Sequence, residues 1–442
     1  MGSPARVLIF LLLWLLPADV RAQEKYEVDL AEIEKEIEKT ADKPYSLGGF
    51  FEFQPTLFGL DRDSAFYRAR LFNNDQGSFF DQYSFRLRLE GSFKKDIFSA
   101  FFRTDHHVRN DFEGWNEDTK LFEGFVSAKP APGFTLEAGK KLTKWGKGYA
   151  WNPASFIDRP KNPEDPTEAL EGSTLITVDF IRSFDGPLKT AALSTAAVPV
   201  YEHVNSDFGE LKNVNFAAKS YFLLYDSDVD LMVLTGSSRT TRFGFDFARN
   251  LTTNFEVHGE WAFIDNQKIN VIDRQGTMST RESDAISYLL GLRYLTEQET
   301  TYILEYYRNG AGFTRREMKN FFAFVDDSYT TFVATGDETG LSRAQQLVNG
   351  AYGRPNPGQH YLYFRVSQKE PFDVLYFTPA FTSIMNLTDA SLTMIPELAY
   401  SPVTNLELRF RTVFLLGKDR TDYGEKQNDY RVEFRMRYFF GF

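Results

Sequence analysis

The chain ends YRVEFRMRYFFGF, residues 430–442. Tyr430, Val432, Phe434, Met436, Tyr438, Phe440 and Phe442 occupy every second position, and Arg431, Glu433, Arg435 and Arg437 stand between them. Alternate side chains of an extended backbone point to opposite faces, so this segment reads as one strand with an apolar face backed by an arginine face. The alternation recurs upstream. In 82–94, Tyr83, Phe85, Leu87, Leu89 and Phe93 oppose Ser84, Arg86, Arg88 and Glu90; in 404–416, Leu406, Leu408, Phe410 and Phe414 oppose Glu407, Arg409 and Arg411.

Segments of this kind run about 10 to 13 residues, longer than the 5 or 6 usual in a soluble sheet and enough for a tilted strand to cross a bilayer. Eighteen follow one another from 47–58 to 428–441, with 16 as the alternative count. They include 133–145, 253–264, 283–295 and 372–384, which matter below. Connector length is an independent signal. Tight links such as Lys95-Asp96, DSD at 226–228 and SPVT at 401–404 alternate with long ones at 59–81, 146–171, 265–282 and 309–358. Short periplasmic turns and long outer loops are the asymmetry of an outer-membrane barrel. The fold expected is therefore all-β: a closed transmembrane antiparallel β-barrel over 45–442, its first and last strands paired because an open edge is excluded in hydrocarbon.

Composition agrees. The 442 residues include 44 Phe and 22 Tyr but no Cys, with a formal charge of −11. Only one apolar run is long enough to notice, Val7–Leu16 after Arg6 and before the small-x-small site Val20-Arg21-Ala22, and it reads as a signal peptide over 1–22. Residues 23–44 carry Leu30, Ile33 and Ile37 at helical spacing and are expected to form a short periplasmic helix ended by Pro44. No basic tail or stripe points to nucleic acid.

The terminal Phe442, with Phe440 and Tyr438, resembles the carboxy-terminal signature of Gram-negative outer-membrane proteins. That resemblance implies an outer-membrane location, contact with lipid and recognition of Phe442 by the barrel-assembly machinery. The strand count, arginine-rich interior and long loops also look like a porin and, at the level of layout, like alginate-export-type and other substrate-specific porins.

Carried round the barrel, the alternation faces Arg86, Arg88, Arg409, Arg411, Arg431, Arg435 and Arg437 into one side of the lumen, and Asp246, Glu256, Glu260 and Glu305 into the other. Such a transverse field orients polar solutes. The competing reading is lateral pairing, for which Glu407 and Glu433 are well placed. The expected function is a channel for small polar or anionic solutes, saccharides included, gated by long loops. Two loops are candidate plugs. Residues 146–171 hold prolines at 153, 160, 163 and 166 with Trp151 and Phe156; residues 309–358 hold FFAFV at 321–325 and a short helix around LSRAQQLVNGA.

No nucleotide, zinc, thiol or serine-hydrolase motif appears, so no catalytic residue, metal or cofactor is assigned. Thr104-Asp105-His106-His107 is the one cluster with catalytic flavour, and it would place Asp105 and His107 together inside. A hydrolase at the barrel mouth is thus one alternative; a non-conducting adhesin or scaffold barrel is another.

Overall fold

A computed structural model describes residues 43–441. The expected signal peptide, nearly all of the 23–44 helix and Phe442 lie outside the described residues. Eighteen strands follow in order: β1 Tyr45–Leu60, β2 Phe79–Lys95, β3 Phe98–Asp111, β4 Gly114–Ala131, β5 Phe134–Lys141 and β6 Ser173–Ser183. Next come β7 Leu188–Val200, β8 Asn213–Leu224, β9 Ser227–Gly236, β10 Arg242–Thr252, β11 Phe255–Ile272 and β12 Met278–Leu295. The last six are β13 Thr300–Arg308, β14 His360–Gln368, β15 Phe377–Asn386, β16 Ser391–Val403, β17 Leu406–Leu416 and β18 Asn428–Gly441. Each pairs antiparallel with its chain neighbours, and β1 pairs with β18 through Gly49↔Phe440, Glu52↔Arg437 and Thr56↔Glu433. The sheet closes with no free edge, which is the condition for a sheet in hydrocarbon.

The register puts the apolar face outside. Phe51 stands between Leu87 on β2 and Tyr438 on β18, and all three are exposed. Exposed Leu193, Leu231, Leu290, Leu304, Leu398 and Phe410 continue the band round the barrel. A surface this apolar would be a liability in water; against acyl chains it is in its own solvent. No described helix is long and apolar enough to span a membrane. The chain is a closed β-barrel whose outer apolar band fits a bilayer crossed by strands.

Departures from the expected strand bounds have local causes. β5 ends at Lys141 rather than near 145 because Asp158 accepts hydrogen bonds from the Thr143 and Lys144 amides, at 2.8 and 2.7 Å, and turns the chain inward. β15 begins at Phe377, since Glu370, Phe372, Asp373 and Tyr376 all take positive φ in the preceding turn. The largest departure is the β11–β12 hairpin. Its pairing to β10 stops at Ile264 and its pairing to β13 at Tyr288, yet β11 and β12 stay paired out to Ile272↔Met278. Much of the segment read as a 265–282 loop is a two-stranded ribbon rising past the barrel wall.

That ribbon carries a helical lid. Outer loops supply α1 (Ala65–Leu71), α2 (Arg315–Thr335) and α3 (Thr339–Asn349). Ser64 caps α1, and Thr314 and Glu317 form a reciprocal cap at the start of α2: the Glu317 amide donates to Thr314 Oγ1 at 3.2 Å and the Thr314 amide to Glu317 Oε2 at 2.7 Å. Phe66 of α1, Phe321, Phe322 and Val325 of α2, Leu341 of α3, Tyr352 and Ile272 of the ribbon share one core. Phe313 and Phe321 stack on Tyr352 with ring centroids 4.1 and 4.2 Å away, and the Ile272 amide donates to Tyr352 Oη at 3.1 Å. Phe321→Ala should therefore weaken the lid by about 3 to 5 kcal/mol. Limited proteolysis of intact cells should then cut within 309–358, while the detergent-purified barrel keeps its heat-modifiable gel mobility.

Candidate functional site

The loop joining β5 to β6, residues 142–172, folds into the lumen and packs on both sides of it. Trp145, Ala154, Phe156 and Ile157 bury against Leu175, Val198, Leu234 and Ala262 from the inner faces of β6, β7, β9 and β11. Ala150 and Trp151 bury against Leu289, Tyr361, Tyr363, Ile395 and Val413 from β12, β14, β16 and β17. The Trp151 ring stacks on Tyr307 at 5.1 Å, and its Nε1 donates to Asn356 Oδ1 at 3.3 Å. The loop is thus a fixed internal strap rather than a solvated one.

Its first half is latched to the acidic wall. Glu260 Oε1 accepts from the Lys147 and Gly148 amides, both at 2.6 Å, and from Asn152 Nδ2 at 2.8 Å; Glu260 Oε2 accepts from the Ala154 amide at 3.1 Å. The chain wraps this closely only because of its glycines. Gly146 has φ +93, and a Cβ there would sit 2.8 Å from Glu260 Oε1; a Cβ on Gly148 would strike Trp151 O at 2.0 Å. Glu305 accepts from the Ala150 amide at 2.8 Å, from the Tyr149 amide, and stands 2.9 Å from His258 Nε2. Lys147 Nζ lies 3.2 Å from Asp230, which faces Asp246 across the β9–β10 ladder. Burial works against the Lys147 charge, but Asp230 and Asp246 outweigh it and raise the pKa. Lys161 is held by the Gly148 and Tyr149 carbonyls, and burial lowers its pKa.

The second half is latched to the arginine wall. Asp165 Oδ2 lies 2.6 Å from Arg409, 3.8 Å from Arg435 and 3.9 Å from Arg411. Glu164 pairs with Arg431, and Glu168 with Arg86 at 3.0 Å. Burial opposes ionisation of Asp165, yet the three guanidiniums hold its carboxyl well below the usual range. A single strap therefore presents amides and lysines to the acidic wall and carboxylates to the basic one.

Of the eleven residues assigned from alternation, Arg86, Arg409, Arg411, Arg431, Arg435, Glu260 and Glu305 meet the strap, and the set is differently engaged. Arg411 is paired with Glu433 at 2.6 Å, Arg435 with Glu407 at 2.8 Å, and Arg437 with Glu52. Lateral pairing is therefore real, alongside the opposition of walls. Asp246 and Glu260 are buried with Glu305, whereas Glu256 is partly open and lies 3.2 Å from His258. Residues that the sequence reading missed are Glu52, which sits 3 % exposed beneath Arg437, and the loop carboxylates Glu164, Asp165 and Glu168. Glu52 was visible as an inward position in FFEFQ, 50–54; the loop acids had no periodicity to betray them.

The hydrolase alternative loses its key contact. Asp105 is bound in two-pronged fashion by Arg88 Nε and Nη2, each at 2.6 Å, while His107 Nε2 meets Ser84 Oγ at 2.6 Å. Asp105 is spent on an ion pair and does not orient His107. Asp105→Ala should cost about 3 kcal/mol by leaving Arg88 buried and unpaired, whereas His107→Ala should stay within about 1 kcal/mol of wild type. Urea unfolding from lipid vesicles measures both. Among the described residues no group of His, Asp and Glu side chains is arranged to hold a metal ion.

No protein-family model and no curated protein matches the sequence. Solved structures do resemble it. Pseudomonas aeruginosa OccK11 (OpdR) aligns with TM-score 0.50 and 9% identity over 90% of this chain and 96% of that one. P. aeruginosa OprD gives 0.46 and 10% over 90% and 95%, and a triple mutant of Rhodopseudomonas blastica porin 0.44 and 10% over 90% and 100%. At such identities the likeness is one of fold: the architecture is that of outer-membrane porins.

Proposed function

We propose that the protein is an outer-membrane channel whose conducting path is narrowed by the 142–172 strap and favours small polar solutes, acidic ones included. The observation that carries this reading is the charge arrangement of the strap. A barrel of this many strands is too wide for wall side chains alone to fill, and the strap's Glu164, Asp165 and Glu168 line up with the arginines of β2, β17 and β18. Charged groups facing each other across a constriction set a transverse field that sorts dipolar and ionic solutes from apolar ones. Because the carboxylates offset much of the arginine charge, the constriction suits small solutes better than a long polyanion.

Planar-bilayer recording of the purified protein tests the proposal. Discrete conductance steps are expected in simple salt. A second reading, a barrel closed by its own loops, is favoured by the two apolar clusters that bind the strap to both sides of the wall. Silence in the bilayer, with the protein folded by gel mobility, would select it.

A further inference from the structure

Between the strap and the lid lies a chamber of about 280 Å³, built where four loops, the strap among them, meet the ends of β15, β17 and β18. Its charges are unevenly partnered. Arg431 in its wall is neutralised by Glu164 and Glu433, and Lys426 by Asp422 at 3.0 Å. Among the described residues Arg70 of α1 has no carboxylate partner. Its Nη1 donates to Gln427 Oε1 at 2.5 Å, its Nη2 reaches the Val348 carbonyl at 3.5 Å, its plane lies over Phe66, and its Nε is buried with no acceptor. Burial lowers its pKa with nothing to counter it. Arg354, also lining the chamber, has no polar partner within the described residues. Gly353, beside Arg354 in the chain, lies close to Arg70, for a Cβ there would stand 3.3 Å from Arg70 Nη2. Asn428 adds a donor: its side chain lines the chamber at 6 % exposure and its Nδ2 has no acceptor.

Unpartnered buried donors are rare in folded proteins, and two of them, Arg70 Nε and Asn428 Nδ2, belong to residues that line this cavity together with the exposed guanidinium of Arg354. We infer that this chamber is a binding subsite for a small acid, whose carboxylate or phosphate oxygens accept from Arg70, Arg354 and Asn428. Guanidinium forks match either oxyanion. The volume admits a solute of a few carbons, and the apolar Phe66 side of the chamber accommodates its carbon chain. The inference deepens the channel reading and rests on it for its purpose, since the chamber opens on Arg431 and so on the arginine wall.

Isothermal titration of the full-length protein in detergent tests it, with succinate, inorganic phosphate and uncharged 1,4-butanediol as probes. Saturable binding of succinate or phosphate is expected, with none of butanediol; comparison of the two anions tells carboxylate from phosphate recognition. Arg354→Ala, an exposed change that removes no internal contact, should weaken binding about tenfold or more, and Arg70→Gln likewise. Failure of both anions to saturate, or equal affinity in Arg354→Ala, overturns the subsite. Bilayer conductance of the same preparation separates the two claims: conductance without anion binding removes the subsite alone, and binding without conductance removes the channel alone.

Discussion

Glu260→Ala should unlatch the internal strap and destabilise the protein on the order of 5 kcal/mol. Glu260 is 3 % exposed and is, among the described residues, the acceptor for the Lys147, Gly148 and Ala154 backbone amides. Its removal strands three amides and one Asn152 donor in a space lined by Leu289 and Trp151. Each buried donor left without an acceptor costs about 1 to 3 kcal/mol, and water reaching the gap recovers part of that. Glu260→Gln keeps the volume but turns one acceptor into a donor aimed at a donor, so it should recover only part of the loss. Urea unfolding in vesicles gives the magnitude. Trp fluorescence separates local from global effects, because Trp145 and Trp151 sit on the strap and should shift to the red before the barrel unfolds. A shift of the melting curve under about 1 kcal/mol for Glu260→Ala would mean that the apolar contacts alone seat the strap.

The effect bears on what could be read in the sequence. Strands were legible because their signal is local: 430–442 shows both faces of β18 within one segment, and the alternation that faces Arg431 and Arg435 inward needs no knowledge of neighbours. The β11–β12 ribbon was not legible beyond 264 and before 283, since Gln267, Lys268, Asn270 and Ser279 to Glu282 look like a polar loop and are paired only with each other. Helix α2 did leave a trace, in the Thr314-x-x-Glu317 box and in Met318, Phe321, Phe322 and Val325 at helical spacing. It was masked by reading FFAFV as a patch. The strap is the opposite case. WGKGYAWN, 145–152, carries no periodicity, and its meaning depends on Glu260, more than a hundred residues later. Contacts of that kind arise only once closure has brought the inner faces together.

Neutralising the strap's other half, as Glu164→Gln, Asp165→Asn and Glu168→Gln together, should make the constriction strongly anion-selective. Among the described residues these carboxylates are the loop acids set against Arg431, Arg409 and Arg86; the wall acids Glu433, Glu397 and Glu52 also reach those three arginines but are shared with Arg411, Arg365 and Arg437. A unit charge acts on an ion 4 Å away with about 1 kcal/mol in water and about 4 kcal/mol at the screening typical of a protein surface. Even the lower figure, lost three times over, shifts the anion-to-cation permeability ratio on the order of tenfold or more. Reversal potentials in a salt gradient measure it, and the shift should shrink as ionic strength rises because the screening length falls below the width of the path. Reversing wall residues is a poorer experiment. Arg411 lies between Glu433 and Asp165, so a carboxylate in its place would set three like charges together and displace the strap as well as change the field. With the loop substitutions the amide side chains keep the shape and some of the hydrogen bonds, so the apolar seat of Trp151 holds the strap in place and the charge alone changes. An unaltered reversal potential, in a channel whose conductance is intact, would show that ions pass by a route the strap's acids do not line.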